Sequence, residues 1–357
     1  MDEILEYQKE TFGIDSFLEN SKVYIDRIGN MNLDTSSWYK ELLSGDITSI
    51  LKSIDLSKIF LIEFKGAINV IISIVIVIII NSILKTIIES LNSSTASKSL
   101  AFIQYLIIAN IIINSFIPIV ELTKSSIENL NGFINLLIPI LLVFMVTTGN
   151  IISKNVIETS IIFMINFTSN FINEFVIPIL LISFVISIVS NITTRIRLDK
   201  VSKLLKSFII WGLGIVLTFF TTVLSLETNI TESVDELASK TTKAAVSNLI
   251  PVVGKIMGDT VETVMGSVSV LSNIVGTFGI IIIALIVLIP IIRILIFYFM
   301  FKVVGAVTDA CSDKEIINLL DSVSDSYKIM LGMIFTISIM FIIGITITLK
   351  IICMSSG

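Results

Sequence analysis

Residues 66–84 read GAINVIISIVIVIIINSIL, a run without a single charged side chain. At a rise of 1.5 Å per residue, a helix of this length matches the roughly 30 Å hydrocarbon core of a bilayer. Isoleucine and valine dominate the run and would also suit buried strands, but such strands are only about 4–8 residues long. Strands of a membrane barrel would alternate apolar and polar residues, and this run does not. The sequence therefore predicts a transmembrane α-helix.

Comparable runs recur along the chain, and seven of them are clear. An eighth stretch, 156–172, contains Glu158 and several Asn, Ser and Thr residues, so it predicts either a further span facing other helices or an amphipathic surface helix. Only 15% of all residues are charged, against about 25% in a soluble domain, and the mean hydropathy is +0.98. We therefore expect an all-α, polytopic integral membrane bundle of seven or eight transmembrane helices. The seven clear segments are 66–84, 100–120, 132–152, 175–189, 207–226, 275–301 and 332–353.

The distribution of charge divides the chain into four expected parts. Residues 1–65 carry 12 acidic and 7 basic side chains and predict a small helical region outside the bilayer. That region is either a docking domain or a loosely folded tail with helices on the membrane surface. Residues 66–226 form a first group of transmembrane helices, and residues 227–274 form a small-residue-rich hairpin that is extracytoplasmic or re-entrant. The last part, 275–357, holds the C-terminal transmembrane helices and a cytoplasmic loop at 302–328.

One basic segment predicts the orientation of the chain. Lys and Arg residues accumulate in short cytoplasmic loops of membrane proteins. The segment 194–206 holds five of them against Asp199 alone, which places it in the cytoplasm and the acid-rich segment that follows on the far side. These topology-determining residues are Arg195, Arg197, Lys200, Lys203 and Lys206.

The side of the N-terminal region depends on the doubtful stretch 156–172. With eight spans the N-terminal region is extracytoplasmic, and with seven it is cytoplasmic. An exported region normally needs a signal peptide, and the N-terminal sequence MDE is not one. We therefore expect that the region stays inside, or that a signal has been removed or omitted from the sequence.

The segment 240–276, KTTKAAVSNLIPVVGKIMGDTVETVMGSVSVLSNIVG, is apolar, rich in small residues and interrupted by charges. Proline interrupts helical hydrogen bonding, and two glycines four residues apart allow close approach of backbones. The segment predicts either a re-entrant element that lines a pore or interface, or a pair of amphipathic helices packed on the bundle surface. The candidate residues are Pro251, Gly254, Lys255, Gly258 and Asp259.

Arg293 is a further candidate pore or interface residue, since it lies inside the apolar run 275–301 and three residues after Pro290. A cation at membrane depth costs about 2.5–3.5 kcal/mol on insertion scales, so it usually has a partner or a function. The alternative is that its side chain extends to the cytoplasmic end of the helix.

The sequence contains no pattern typical of an enzyme. It has no histidine, which removes the usual general base and the commonest metal ligand. Cys311 and Cys353 are far apart, and none of the common hydrolase, phosphate-loop, zinc-protease or dinucleotide motifs occurs. We therefore expect no catalytic, cofactor or metal site. The net charge of −5 also argues against nucleic acid or anionic lipid as the main partner, leaving the bilayer as the expected environment.

The segment 244–266, AAVSNLIPVVGKIMGDTVETVMG, resembles the stage III sporulation protein AE family. The resemblance continues through PIIR at 290–293 and KVVGAVTDACSDKEIINLL at 302–320, although family members generally begin with a signal-like segment that this chain lacks. It implies a polytopic, permease-like subunit of an eight-protein assembly in the mother-cell membrane that surrounds the forespore. With a forespore partner, that assembly is expected to form a channel or secretion-like conduit that supports forespore development and late forespore gene expression.

The residues alone leave a different class of function open. A stand-alone secondary transporter for a small solute or ion would also need many apolar helices. Such transporters often carry broken helices at matching positions of two repeats, and here only one candidate broken segment is evident. A membrane scaffold without a pore is a third alternative.

Overall fold

The computed structural model of the chain describes residues 11–26, 38, 41–44, 55–90, 94–192, 198–249, 253–309 and 313–355; within 227–265 it describes the helical backbone only. A π-helical turn, Ile172–Val176, joins two of the helices without a break, and no strand occurs in the ranges just given. The helices in chain order are α1 (Ile14–Asp26), α2 (Leu56–Ser90), α3 (Ser94–Thr147), α4 (Ile151–Phe171), α5 (Ile177–Ile192), α6 (Asp199–Leu249), α7 (Val253–Thr308) and α8 (Lys314–Ser355).

Six stretches of these helices are long and apolar enough to cross a membrane, judged by length and composition. The predicted all-α polytopic bundle is therefore confirmed. The six stretches are Leu56–Ile88, Thr95–Thr147, Lys154–Ser190, Asp199–Leu226, Gly266–Thr308 and Lys314–Cys353.

The described residues hold six membrane-length stretches against the seven or eight spans expected, because neighbouring apolar segments share one helix. The segments 100–120 and 132–152 both fall largely in α3, which has 54 residues and is therefore about 80 Å long. The polar stretch between them, ELTKSSIENLN at 121–131, contains neither glycine nor proline, so nothing in it ends the helix. The doubtful segment 156–172 likewise continues into 175–189 through the π turn.

Helical backbone also occupies most of two segments expected to connect spans. In the expected cytoplasmic loop 302–328, α7 continues to Thr308 and α8 begins at Lys314, so only a short connection separates the helices. The helix α6 continues through the expected boundary at 226 as far as Leu249. The division of the chain between the two sides of the membrane stays a prediction.

The helices α7 and α8 form the centre of the bundle, and α2 and α6 lie at its periphery. In the most apolar 18-residue window, 61% of the α8 residues and 50% of the α7 residues are buried, against 28% in α2 and 22% in α6. The exposed apolar side chains of α2 and α6 are suited to contact lipid, since their faces away from the bundle stay hydrophobic.

The N-terminal helix α1 packs on α3 and α7 rather than standing apart from the bundle. Its Phe17 ring lies 6.2 Å from Phe133 and 5.8 Å from Phe278, measured between centroids. Tyr24 packs over Gly132, where a β-carbon would lie 2.8 Å from the tyrosine oxygen, so this close approach requires glycine or a shift of the ring. Part of the acidic N-terminal region is thus buried against the helix bundle.

A tight turn between α3 and α4 reverses the chain. Gly149 adopts φ = +86°, and the N–H of Asn150 donates to the Met145 carbonyl at 2.9 Å, closing the end of α3. The Asn150 side chain donates to Thr148 Oγ1 at 2.9 Å and to the Ile351 carbonyl at 3.4 Å. The turn is therefore fixed to the C-terminal end of α8.

Asp55 caps the N-terminus of α2, just outside the first membrane-spanning stretch. Its carboxylate accepts hydrogen bonds from Ser57 Oγ at 2.7 Å and from the Lys58 N–H at 3.0 Å. Both bonds favour the ionised form and hold the pKa of Asp55 below its usual range, and the bond from the Ser57 hydroxyl has the larger effect.

We predict that the first turn of α2 loosens as pH falls. Because the pKa of Asp55 in the folded state lies below the usual value of about 3.9, the stabilisation is complete above that value. It is lost as pH decreases through the lowered pKa. Amide hydrogen exchange should show falling protection of the Lys58 N–H. Asp55→Asn, which keeps the cap without a titrating proton, should remove the pH dependence; equal dependence in both proteins would contradict the prediction.

We also predict that Gly149→Ala destabilises the protein by about 1 kcal/mol, because L-residues with a β-carbon are strained at positive φ. A β-carbon there has no heavy atom within 4 Å, so the effect is one of backbone conformation and not of collision. Thermal unfolding in detergent measures it. Gly149→Asn is the matched control, since asparagine tolerates the left-handed region and should lose less. An alanine variant that melts with the wild type would contradict the assignment.

Candidate functional site

The predicted hairpin at 240–276 falls where the structure describes little beyond the backbone. The backbone is helical up to Leu249 and again from Val253, and Pro251 lies outside the described residues. The first two turns of α7 contain the other candidates by position, and their side chains also lie outside what is described: Gly254, Lys255, Gly258 and Asp259. Their role at a pore or interface stays a prediction.

Arg293 in α7 forms a bidentate ion pair with Glu63 in α2. Its Nη2 donates to Glu63 Oε1 at 2.8 Å, and its Nε donates to Glu63 Oε2. The glutamate side chain is only 9% exposed and the arginine 36%. Two parallel N–H···O bonds fix the geometry of such a pair as well as its strength. The peripheral helix α2 is therefore held to the central helix α7 by charge, one turn after Pro290.

Sequence reasoning singled out Arg293 but did not identify Glu63 as its partner. Glu63 lies three residues before the uncharged run 66–84, and helix α2 begins at Leu56, well before that run. A hydropathy window that stops at the last charge therefore leaves the partner outside the span. The available signal was charge complementarity: a lone cation in one apolar helix and an anion at the edge of another.

A second polar cluster joins α5, α6 and α8. Lys206 Nζ donates to the Ser322 carbonyl at 2.6 Å and to Ser322 Oγ at 2.8 Å. Ser322 Oγ in turn donates to Ser187 Oγ at 2.7 Å, and the hydroxyls of Ser187 and Ser202 lie 2.6 Å apart. Ser202 Oγ also donates to the Ser183 carbonyl at 2.9 Å. The lysine ammonium is thus solvated by protein groups inside the bundle.

The topology-determining residues consequently fall into different environments. Arg195 and Arg197 lie outside the described residues. Lys200 and Lys203 are exposed on the first turns of α6, whereas Lys206 is 6% exposed and serves the interior. Part of the basic segment predicted as a loop is therefore helix, and one of its cations holds helices together.

Two further ion pairs lie towards the same end of the bundle. Lys85 near the end of α2 contacts Asp313, directly before α8, at 2.5 Å, and Lys302 in α7 contacts Asp321 in α8 at 2.7 Å. The first pair joins the end of α2 to the α7–α8 connection, and the contact of Lys206 with Ser322 brings the start of α6 close to the start of α8. The connection and the described part of the basic segment therefore lie at one end of the bundle. In the ranges given for the fold, no three His, Cys, Asp or Glu side chains are close enough to hold a metal ion.

Comparison with known protein families shows to which family the chain belongs. A family model described as "Stage III sporulation protein AE" matches residues 33–351, nearly the whole chain. The chain belongs to the stage III sporulation protein AE family. The matched range contains Glu63, Arg293, the serine–lysine cluster and the segment 240–276. Membership confirms the resemblance and supports a role in sporulation.

A curated relative gives the same result. The chain is similar to the stage III sporulation protein AE of Bacillus subtilis (strain 168), with 27% identity over 254 residues. The matched part covers 71% of this chain and 64% of the relative, so the chain spans less than two-thirds of that relative's length. No solved structure matches the chain.

We predict that the Glu63–Arg293 pair stabilises this member of the family only as long as both charges are present. Glu63→Gln or Arg293→Gln should each lower the free energy of unfolding by about 1–3 kcal/mol. That range is below the roughly 3–5 kcal/mol of fully buried pairs because Arg293 is partly exposed. The double variant Glu63→Leu with Arg293→Leu should recover most of the loss.

Unfolding by SDS titration in mixed micelles measures these differences. The matched control is Lys302→Gln, which breaks an ion pair whose side chains are 40% and 53% exposed and should cost less than about 1 kcal/mol. Single variants no less stable than this control would contradict a structural role for the buried pair.

Proposed function

We propose that this chain is a membrane-embedded subunit of a channel or secretion-like complex between the mother cell and the forespore. The family match across residues 33–351 is the observation that carries the proposal. In this proposal the chain is a multi-pass protein of the mother-cell membrane surrounding the forespore. Its partners are other stage III sporulation membrane proteins and a forespore protein, and its role is to support forespore development and late forespore gene expression.

The polar groups of the bundle support a structural rather than a catalytic contribution. The charged groups of Arg293 and Lys206 contact groups on other helices of the chain itself, Glu63 and Ser322. Each of these contacts joins a peripheral helix to a central one. The proposal therefore includes no enzymatic step, no cofactor or metal, and no nucleic-acid partner.

The segment 240–276 is the part of the chain to which we assign contact with the conduit or with a partner subunit. It comprises the end of the long helix α6 and the first turns of α7, the helix that carries Arg293. Small residues at Gly254 and Gly258 would allow a neighbouring helix to approach closely. Lys255 and Asp259 would supply charge at that contact, and Pro251 would set the break between the helices.

A second candidate function is a stand-alone secondary transporter, and one observation favours it. The turn Ile172–Val176 is π-helical, and such turns often occur at functional sites within helices. Within this turn, the Asn173 side-chain oxygen is buried and accepts no hydrogen bond from any described residue. An oxygen of this kind could bind a cation or a polar solute in transit.

Deletion of the gene in its host distinguishes these functions. For the sporulation complex we expect engulfment to finish, followed by a shrunken forespore in which a late forespore-specific fluorescent reporter stays dark. Complementation with the wild type should restore the reporter, and the Lys302→Gln variant serves as the matched positive control. Substitution of Gly254 and Gly258 by leucine should fail to restore it while protein levels in the membrane stay normal.

Normal spores after deletion would overturn the proposal. Purified protein reconstituted alone in vesicles then tests the transporter: solute or ion flux without any partner protein supports it, and Asn173→Leu should reduce that flux. Flux that strictly requires further sporulation proteins would instead support the subunit.

A further inference from the structure

One exposed stripe on α3 differs from an ordinary lipid-facing surface. It is formed by side chains that alternate four and three residues apart, the spacing that keeps one face of a helix against a partner helix. All five are exposed, the isoleucines by 53%, 45% and 45% in chain order. The stripe consists of Ile103, Ile107, Asn110, Asn114 and Ile117.

The two asparagines place amides in the middle of an apolar run. Asn110 is the central residue of the uncharged segment 100–120, so in a spanning helix it lies near the centre of the hydrocarbon layer. Asn114 Nδ2 donates to Asn110 Oδ1 at 3.0 Å. After this bond, the Asn110 NH₂ group and the Asn114 side-chain oxygen have no other partner among the described residues, and both side chains are exposed. Leaving both against acyl chains is unfavourable, because hydrocarbon offers no hydrogen bonds.

The exposed face of α6 shows how a lipid-facing surface of this protein is built. Phe208, Ile215 and Phe219 are 60%, 62% and 55% exposed there and have no polar side-chain group to satisfy. The exposed hydroxyl of Thr218 donates to the Gly214 carbonyl of its own helix at 2.8 Å, so it needs no outside partner. A single bond of this kind cannot satisfy the two donors and the acceptor of an asparagine amide. The α3 stripe therefore differs chemically from the α6 face.

We propose that the α3 stripe binds the same stripe of a second copy of this chain, forming a dimer within the membrane. Two copies in one membrane have the same orientation, so a twofold axis along the membrane normal brings identical stripes together. The free NH₂ group of Asn110 on each copy then meets a free Asn114 oxygen on the other, and donors and acceptors match in number. The isoleucines pack on both sides of the paired amides, as apolar residues flank a register-setting asparagine in coiled coils.

This inference rests on α3 crossing the membrane and is independent of the proposed channel complex. A second copy fits better than an unrelated helix, because each copy has one unpaired donor group, the Asn110 NH₂, and one unpaired acceptor, the Asn114 oxygen. Two copies can therefore satisfy each other.

Cysteine cross-linking in membranes tests the contact. With Cys311 and Cys353 replaced by serine, Ile107→Cys or Ile117→Cys should give a disulfide-linked dimer on mild oxidation with a membrane-permeant catalyst. Val143→Cys is the matched control, since it is 44% exposed on the same helix but outside the stripe, and it should remain monomeric. Cross-links only to other proteins of the host membrane, or equal dimer from the control, would overturn the proposal.

Substitution of the amides gives a second readout. Singly labelled protein in vesicles should bleach in two steps at high protein-to-lipid ratio. Asn110→Leu combined with Asn114→Leu should weaken dimerisation about tenfold or more. Asn69→Leu, at an exposed asparagine of α2 outside the stripe, should leave dimerisation unchanged. Unchanged thermal unfolding of the double variant would show an intact protomer. Single-step bleaching of the wild type, or dimerisation insensitive to the double variant, would overturn the proposal.

Discussion

Hydrocarbon cannot hydrogen-bond to a peptide group, and this constraint underlies every feature of the bundle. Each backbone N–H and C=O at membrane depth must be satisfied within its own segment, which leaves uninterrupted helices as the solution for these isoleucine-rich runs. The small polar side chains follow the same requirement. The hydroxyls of Thr123, Thr336 and Thr348 each donate to the carbonyl four residues earlier, so they add no unsatisfied group to the interior of the bundle.

Within this framework, a few charged side chains hold the outer helices to the centre. The peripheral helix α2 is joined to α7 by Glu63 and Arg293, and the peripheral helix α6 is joined to α8 by Lys206 and Ser322. Apolar packing between helices has little solvent-driven preference in lipid, since acyl chains are as hydrophobic as leucine. Directional polar contacts therefore help to specify which faces meet, and family membership extends over the whole region that contains them.

Fold class could be predicted from the sequence because run length and missing charge identify membrane helices almost alone. The run 66–84 lies within α2, as expected. Helix number could not be predicted in the same way, because hydropathy records where charges occur and not where hydrogen bonding stops. The polar stretch 121–131 contains good helix formers, so α3 continues through it. Contacts such as Glu63 with Arg293 depend on the packing of helices distant in sequence, and a single sequence carries little information on that packing.

The π turn at Ile172–Val176 determines how α5 is rotated relative to α4. A π turn holds one residue more than an α-helical turn of the same height. Conversion to α geometry would therefore rotate α5 by roughly 100° and advance it by about 1.5 Å relative to α4. Rotation and axial displacement of α5 relative to α4 would therefore occur together. Such a conversion would move Ser187 of α5 away from its contact with Ser322 of α8.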